Sequence, residues 1–232
     1  MLSVVILAGG QGTRLGTLTK KTPKPLIRVA GKPFLFHQLN YLYKQGIRKV
    51  VLCLGYLHNM VEKKIGNGSS FGLNITYSYD GNFFLGTGGA IKKALPLLED
   101  NFYILYGDSF LPIQFEPIQK YYFMSNRPAL MTVIFNENKW DKSNVICKDG
   151  LVIEYNKKET KEDMKFIDYG LSIMSKSLFK NINEDFFDLS NLYQKLSIEG
   201  KLSSYEVRQR FYEIGSKKGL KETDIYLSTL EK

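Results

Sequence analysis

No acidic residue occurs before Glu62. The first 61 residues carry nine lysines and arginines (Arg14, Lys20, Lys21, Lys24, Arg28, Lys32, Lys44, Arg48 and Lys49), whereas the remaining 171 carry 23 of each sign. The net charge of +9 is therefore owed entirely to the opening quarter of the chain. Cysteine and histidine are scarce, two of each. Cys53 and Cys147 sit in apolar, strand-like stretches without a CxxC, which excludes a disulfide scaffold and a thiolate zinc site and predicts buried thiols in a reducing, cytoplasmic setting. His37 and His58 have no Cys, Asp or second His at ligand spacing, so both are expected to be structural. The one tryptophan, Trp140, is expected to be a packing or hinge residue. No apolar run approaches the roughly 20 residues of a membrane span, and the chain opens without the basic-then-apolar pattern of a signal peptide.

Two nucleotide fingerprints are also missing. Gly12-Thr13-Arg14 does not supply the GxxxxGK[ST] of a Walker A loop. A GxGxxG turn fails because Leu15 stands where the third glycine belongs, and no acid follows about 20 residues on. Hydride transfer on a dinucleotide is excluded on that ground.

What is present is a buried strand, Val4 to Leu7, running into Gly9-Gly10-Gln11-Gly12. Without Cβ atoms in the way, the amides of such a turn converge on an anion. Arg14 adds a planar cation suited to phosphate and Lys24, between Pro23 and Pro25, a compact one. A basic chain of this kind raises the question of nucleic acid. Here the excess coincides with a glycine turn at a strand end, which points instead to a small polyanion, a nucleoside triphosphate, focused into a cleft.

The length fits one domain, with residues 1–128 as a nucleotide-binding half and 129–232 as an acceptor half. Hydrophobic periodicity predicts helix from Pro33 to Gly46, strand from Lys49 to Leu54, a short helix from Met60 to Ile65 and strand from Asn74 to Ser78. A second glycine turn, Leu85-Gly86-Thr87-Gly88-Gly89, is expected to open a helix from Ala90 to Leu98, followed by strand from Phe102 to Tyr106 and Gly107-Asp108. Alternating elements imply an α/β, Rossmann-like, mostly parallel mixed sheet with helices on both faces, and ligands in such sheets bind beyond the carboxyl ends of the strands. After residue 129 the rhythm turns β-rich: strands at Ala129–Phe135, Asn144–Cys147, Leu151–Tyr155, Phe166–Met174 and Leu202–Val207, a hairpin at Asp149-Gly150, and helices at Leu189–Ile198 and Gly219–Leu230. Asp108, after a strand and a glycine, is a candidate for Mg²⁺, because two phosphorylated reactants repel and a hard dication held by one or two carboxylates relieves that.

Leu7-Ala8-Gly9-Gly10-Gln11-Gly12-Thr13-Arg14-Leu15 with Pro23-Lys24-Pro25, then Leu85-Gly86-Thr87-Gly88-Gly89-Ala90 and Gly107-Asp108, resembles the sugar-1-phosphate nucleotidylyltransferases, the NDP-sugar pyrophosphorylases. The resemblance covers essentially the whole chain and weakens to scattered matches after residue 150. It implies attack by the phosphate of a sugar 1-phosphate on the α-phosphorus of an NTP, with release of pyrophosphate and no covalent enzyme intermediate. It implies that the backbone of Leu7, Ala8 and Gly9 approaches base and ribose, and that the amides of Gly10, Gln11, Gly12 and Thr13 hold the triphosphate. Arg14 would grip the β- and γ-phosphates, Lys24 the α-phosphate and the incoming phosphate, and Asp108 the Mg²⁺, while Gly86, Thr87 and Gly88 would shape the base pocket. The family's second metal carboxylate, usually Asp, corresponds to Glu213 in Tyr212-Glu213-Ile214-Gly215. Its Glu-Lys pair corresponds to Lys157-Lys158, so Lys158 is the candidate for the sugar phosphate, and Asp168 with Gly170 for the sugar. The second glycine motif looks most like guanylyltransferases acting on heptose 1-phosphate, which suggests GTP with a heptose or mannose-type acceptor for surface polysaccharide or lipopolysaccharide precursors. Uridylyl or cytidylyl transfer to another phosphorylated acceptor, or a non-catalytic sensor of nucleotide sugars, are the alternatives. The partners expected are an NTP and a sugar 1-phosphate, with no nucleic acid and no membrane span; a homo-oligomer is left open. There is no room at this length for a large regulatory domain.

Overall fold

The computed structural model describes residues 1–10, 12–81 and 83–230, with the side chains of Thr13, Arg14 and Thr17 outside that description. Its frame is one nine-stranded sheet made of β1 (Ser3–Leu7), β2 (Lys49–Leu54), β3 (Asn74–Tyr79), β4 (Asn101–Tyr106), β5 (Ala129–Phe135), β6 (Val145–Lys148), β7 (Leu151–Tyr155), β8 (Phe166–Ser175) and β9 (Leu202–Val207). The spatial order is β3-β2-β1-β4-β8-β5-β9-β7-β6. β3, β2, β1 and β4 are mutually parallel. β8 runs against both β4 and β5, and β9 lies parallel to β5. β7 is antiparallel to β9 and β6. Because Phe166 of β8 also pairs with Val145 of β6, strands β8, β5, β9, β7 and β6 curl into a closed ring. The β-rich second half of the chain is thus an extension of the same sheet.

Among the described residues six α-helices cover this sheet: α1 (Phe34–Lys44), α2 (His58–Ile65), α3 (Gly86–Ala94), α4 (Glu116–Ser125), α5 (Leu189–Ile198) and α6 (Lys217–Leu230). Leu35, Leu39 and Leu42 of α1, Val61 and Ile65 of α2 and Ile118 and Tyr122 of α4 pack on Val4, Ile6, Leu52 and Tyr103. On the opposite face Ala90, Ile91 and Ala94 of α3 and Leu192, Tyr193 and Leu196 of α5 meet Val5, Val51, Phe102 and Ile104. Consecutive residues of β1 therefore serve opposite cores, which is why the strand reads as an unbroken apolar run and not an alternating one. α6 closes a third, smaller cluster with Phe34, Phe110 and Ile214.

Two elements differ from expectation. α3 begins at Gly86, so the glycines form its first turn instead of a loop before it. α4 was not anticipated, although Glu116-Pro117 is a helix-opening signal and Ile118 and Tyr122 share its buried stripe. Both cysteines are free; burial pushes the Cys53 thiol up to about 12 and that of Cys147 to about 11. His37 hydrogen-bonds the Val29 carbonyl. Among the described residues no helix is long and apolar enough to cross a membrane.

Candidate active site

After β1 the chain crosses to β2 on one side, and β4 later docks on the other, so the carboxyl ends of β1 and β4 open a crevice at the point where the strand order reverses. The ladder continues into the loops: Ala8 N–H donates to the Cys53 carbonyl and Gly107 N–H to the Leu7 carbonyl, both at 2.9 Å. Those bonds hold the first glycine turn and Gly107-Asp108 in fixed relation. Between them lies a cleft of about 290 Å³, whose walls include Leu7, Ala8, Gly9, Gly10 and Gly12 on one side and Tyr106, Gly107 and Asp108 on the other. Gly12 has φ +64°, a left-handed conformation that glycine adopts without strain. Its carbonyl accepts from Thr19 Oγ1 at 3.0 Å, which braces the turn from behind. Of the expected phosphate-side residues, Gln11 lies outside the described residues, as do the side chains of Thr13 and Arg14; the backbone of the latter two belongs to a 3₁₀ segment, Thr13–Thr19.

Lys24 and Asp108, 84 residues apart, meet in this cleft with Nζ 2.6 Å from Oδ2. Their side chains are 12% and 30% exposed, so the pair is shielded on the protein side and open toward the cavity. A charge-assisted bond this short positions both groups. Glu213 is held nearby, because its strand residue pairs with Ser109 and the Ile214 amide donates to the Asp108 carbonyl at 2.9 Å. Its carboxylate, however, is turned to the start of α6. Oε2 accepts from the amides of Gly215 and of Ser216, and Oε1 from the Ser216 hydroxyl at 2.6 Å. Glu213 thus caps a helix entry, and Gly215, not Glu213, lines the cleft. Among the described residues no group of three or more His, Cys, Asp and Glu stands ready for a metal. A single carboxylate beside a phosphate cradle does suit a hard dication such as Mg²⁺, which keeps water and takes substrate phosphates as its other ligands.

The other end of the cleft holds a residue the sequence reading passed over. Asp80 follows β3 at its carboxyl end, lines the cavity with Cys53, Phe84 and Ala90, and is only 8% exposed. Its backbone is tied down by Asp80 N–H to the Leu54 carbonyl at 2.9 Å and by Lys93 Nζ to its own carbonyl at 3.3 Å. Its carboxylate has no hydrogen-bond donor among the described residues. Burial raises its pKa, opposed by the charge of Lys93. Gly9 and Gly55 leave it room: a Cβ on Gly9 would stand 3.0 Å from Oδ2. The strand-end rule that singled out Asp108 would have found Asp80 as well.

The second glycine motif serves two purposes. Gly86 and Thr87 line the cleft. Gly88 does not; it faces the Phe187 ring, and the Phe187 carbonyl accepts the amides of Gly88 and Gly89 at 2.9 and 3.2 Å. Thr87 Oγ1 in turn accepts the Leu189 amide at 2.8 Å. The motif therefore clamps the segment before α5 onto the N-terminus of α3. A methyl at Gly88 would be driven into the Phe187 ring, so Gly88→Ala, which in an open helix gains about 1 kcal/mol, is expected instead to cost about 1–3 kcal/mol. A thermal melt would show this as a fall in Tm of several degrees.

On the acceptor side, Asp168 lies on β8 where the pairing with β5 is bulged. Its Oδ1 accepts the Gly170 amide at 2.9 Å, and its own amide donates to Asn144 Oδ1 at 3.0 Å. Burial pushes Asp168 up to about 6, against the Gly170 bond and the positive charge of Lys157. Lys157 is thus the cation whose field reaches Asp168. Lys158 is exposed on the same loop, its amide bonded to Asn156 Oδ1, and is not among the residues lining the cleft.

A parallel sheet with its glycine turns, a lysine and a carboxylate gathered at one switch point defines a nucleotide-handling α/β transferase. Residues 3–182 match the family described as nucleotidyl transferase, and the chain belongs to that family. It is similar to the D-glycero-alpha-D-manno-heptose 1-phosphate guanylyltransferases of Campylobacter jejuni (32% identity, covering 78% of this chain and 79% of that one) and Aneurinibacillus thermoaerophilus (31%, covering 92% and 93%). The structure of HddC from Yersinia pseudotuberculosis complexed with GMP-PN shares the fold, with a TM-score of 0.85 at 24% identity, over 98% of this chain and 100% of that one. Nucleotidyltransferases of this kind generally work with a divalent metal ion.

Proposed function

We propose that this protein transfers a guanylyl group from GTP to the phosphate of a sugar 1-phosphate of heptose or mannose type, giving a GDP-sugar and pyrophosphate. One observation carries the reading: the Lys24–Asp108 pair stands at one end of a cleft whose other end presents the unpartnered carboxylate of Asp80. Guanine is the common base with two adjacent donors, N1–H and the 2-amino group, and a carboxylate accepts both. Uracil, cytosine and adenine offer one donor beside acceptors. The guanylyltransferase relatives support the same choice of base.

In this reading the glycine-turn amides of Gly10 and Gly12 hold the triphosphate, and Arg14 grips its β- and γ-phosphates. An oxygen of the acceptor phosphate attacks the α-phosphorus; the bond from that phosphorus to the bridging oxygen breaks, and pyrophosphate leaves with the electron pair. Lys24 turns from Asp108 to the phosphate oxygens and neutralises the charge that gathers there. Asp108 would hold Mg²⁺, which when bound would neutralise phosphate charge beside it. Glu213 can join only by giving up its cap on α6. No side chain need form a covalent intermediate, so the residues act by positioning and charge. Residues 1–128 form the nucleotide-binding half, whose Lys24 and Asp108 also meet the acceptor phosphate, and the remainder forms the acceptor half.

The test is pyrophosphate release across four NTPs and a panel of aldose 1-phosphates, with and without a chelator. Release with GTP and a manno-configured 1-phosphate, abolished by chelation, is expected. Release with another NTP in preference would overturn the base assignment, and none with any pair would overturn the reaction.

A further inference from the structure

Beside Asp108 the cleft wall is made by a tyrosine that the reaction as described leaves idle. Tyr106 ends β4 and lines the cavity directly before Gly107-Asp108. Its ring lies against Gly170: a Cβ there would sit 3.6 Å from Tyr106 Cδ2, an ordinary contact, and it is the φ of +99° that favours glycine at this position. Gly170 is also the residue whose amide anchors Asp168. The pairing with β5 is bulged between Asp168 and Ser172, and Asp168's charge acts on Tyr106, Tyr155 and Tyr193.

The hydrogen-bond ledger is uneven in a telling way. Tyr193 is satisfied by the Ser172 hydroxyl. Among the described residues, nothing bonds the Tyr106 hydroxyl, and Asp168 Oδ2 has no partner. The phenol of Tyr106, on the cleft wall, and the second oxygen of Asp168, which adjoins it through Gly170, are each free to bond a ligand. A phenol donates one hydrogen bond and a carboxylate oxygen accepts up to two, which is the complement of neighbouring hydroxyls on a sugar ring.

We propose that Tyr106 selects the acceptor: its hydroxyl, with Asp168 Oδ2, binds adjacent hydroxyls of the sugar 1-phosphate, and its ring sets how large a sugar fits beside Asp108. This rests on the transfer reaction above, and the two fail separately. Burial raises the pKa of Asp168, and the Gly170 amide and the charge of Lys157 oppose that rise.

Steady-state kinetics with GTP, D-mannose 1-phosphate and its monodeoxy analogues test the assignment, with Tyr106→Phe and Asp168→Asn as variants that keep side-chain shape. Each variant is expected to raise the acceptor KM about tenfold, the value of one hydrogen bond to a charged group or its phenol partner, while the KM for GTP stays. The penalty should vanish on the one deoxy analogue that lacks the contacted hydroxyl. Calorimetric titration of the acceptor into each variant with a non-hydrolysable GTP analogue should give the same ratio. An unchanged acceptor KM in Tyr106→Phe, or an equal penalty on every analogue, would overturn the role of Tyr106. If the unmodified protein released no pyrophosphate with any nucleotide and acceptor, the transfer reaction itself would fall instead.

Discussion

Asp108→Asn is expected to lower turnover by about 10²–10³-fold, the cost of removing one well-placed electrostatic group from a reaction centre, while GTP affinity falls by less than tenfold. The asymmetry follows from where the charge sits. Asparagine keeps the shape of Asp108 and its backbone bond to Ile214, so the fold and the glycine turn should persist. What is lost is the negative charge 2.6 Å from Lys24 and the carboxylate proposed to hold the dication. In the proposed binding mode, GTP is held in the ground state by amides, Arg14 and the base end, all unchanged. The transition state, in which the acceptor phosphate and the α-phosphate approach, depends on the lost charge. Pyrophosphate release at saturating substrates, set beside calorimetric GTP binding, separates the two terms. Equal loss in both would mean that Asp108 acts only by placing Lys24, and the double variant with Lys24→Met would then be no worse than either single one.

Asp80→Asn is expected to reduce kcat/KM for GTP by about 10²-fold or more, and at the same time to admit xanthosine triphosphate. The carboxylate offers two acceptors; the amide offers one acceptor and one donor. Guanine then presents its 2-amino group to an amide NH₂, leaving two buried donors facing each other, the kind of mismatch that sites built on hydrogen bonds reject strongly. Xanthine carries a carbonyl at that position and becomes the matched partner. Because Asp80 is buried with a raised pKa and no side-chain donor, removing its charge should not harm the fold, and the melting temperature should hold or rise. A variant that kept its preference for GTP over xanthosine triphosphate would show that the base is read elsewhere.

Much of this was legible in the residues. Lys49–Leu54, Leu151–Tyr155, Leu202–Val207 and Leu189–Ile198 have the same bounds in sequence and structure, because their patterns are local and bounded by clear turn signals. The convergence of Gly9, Gly86 and Asp108 also followed from strand ends alone. What escaped was set by distant partners. Gly86 to Gly89 read as a turn, yet they are helical, and their smallness answers to Phe187 about a hundred residues later. Glu213 was read from its place in a motif, but the direction of its carboxylate depends on which amides α6 leaves unpaired. Tyr106, a tyrosine at a strand end, carries no mark in the sequence of whether it faces core or cavity.

The closed ring formed by β8, β5, β9, β7 and β6 has a consequence for how molecules of this protein could meet. By returning to β8, the sheet gives up one of its two rims, and among the described residues the long free rim is β3. The Asn67 carbonyl already takes the Ile75 amide, so only the stretch from Thr76 to Tyr79 is open to an added strand. That stretch leads directly into Asp80. Growth of the sheet by a neighbour would therefore press on the residue proposed to read the base, setting self-association and substrate choice in competition.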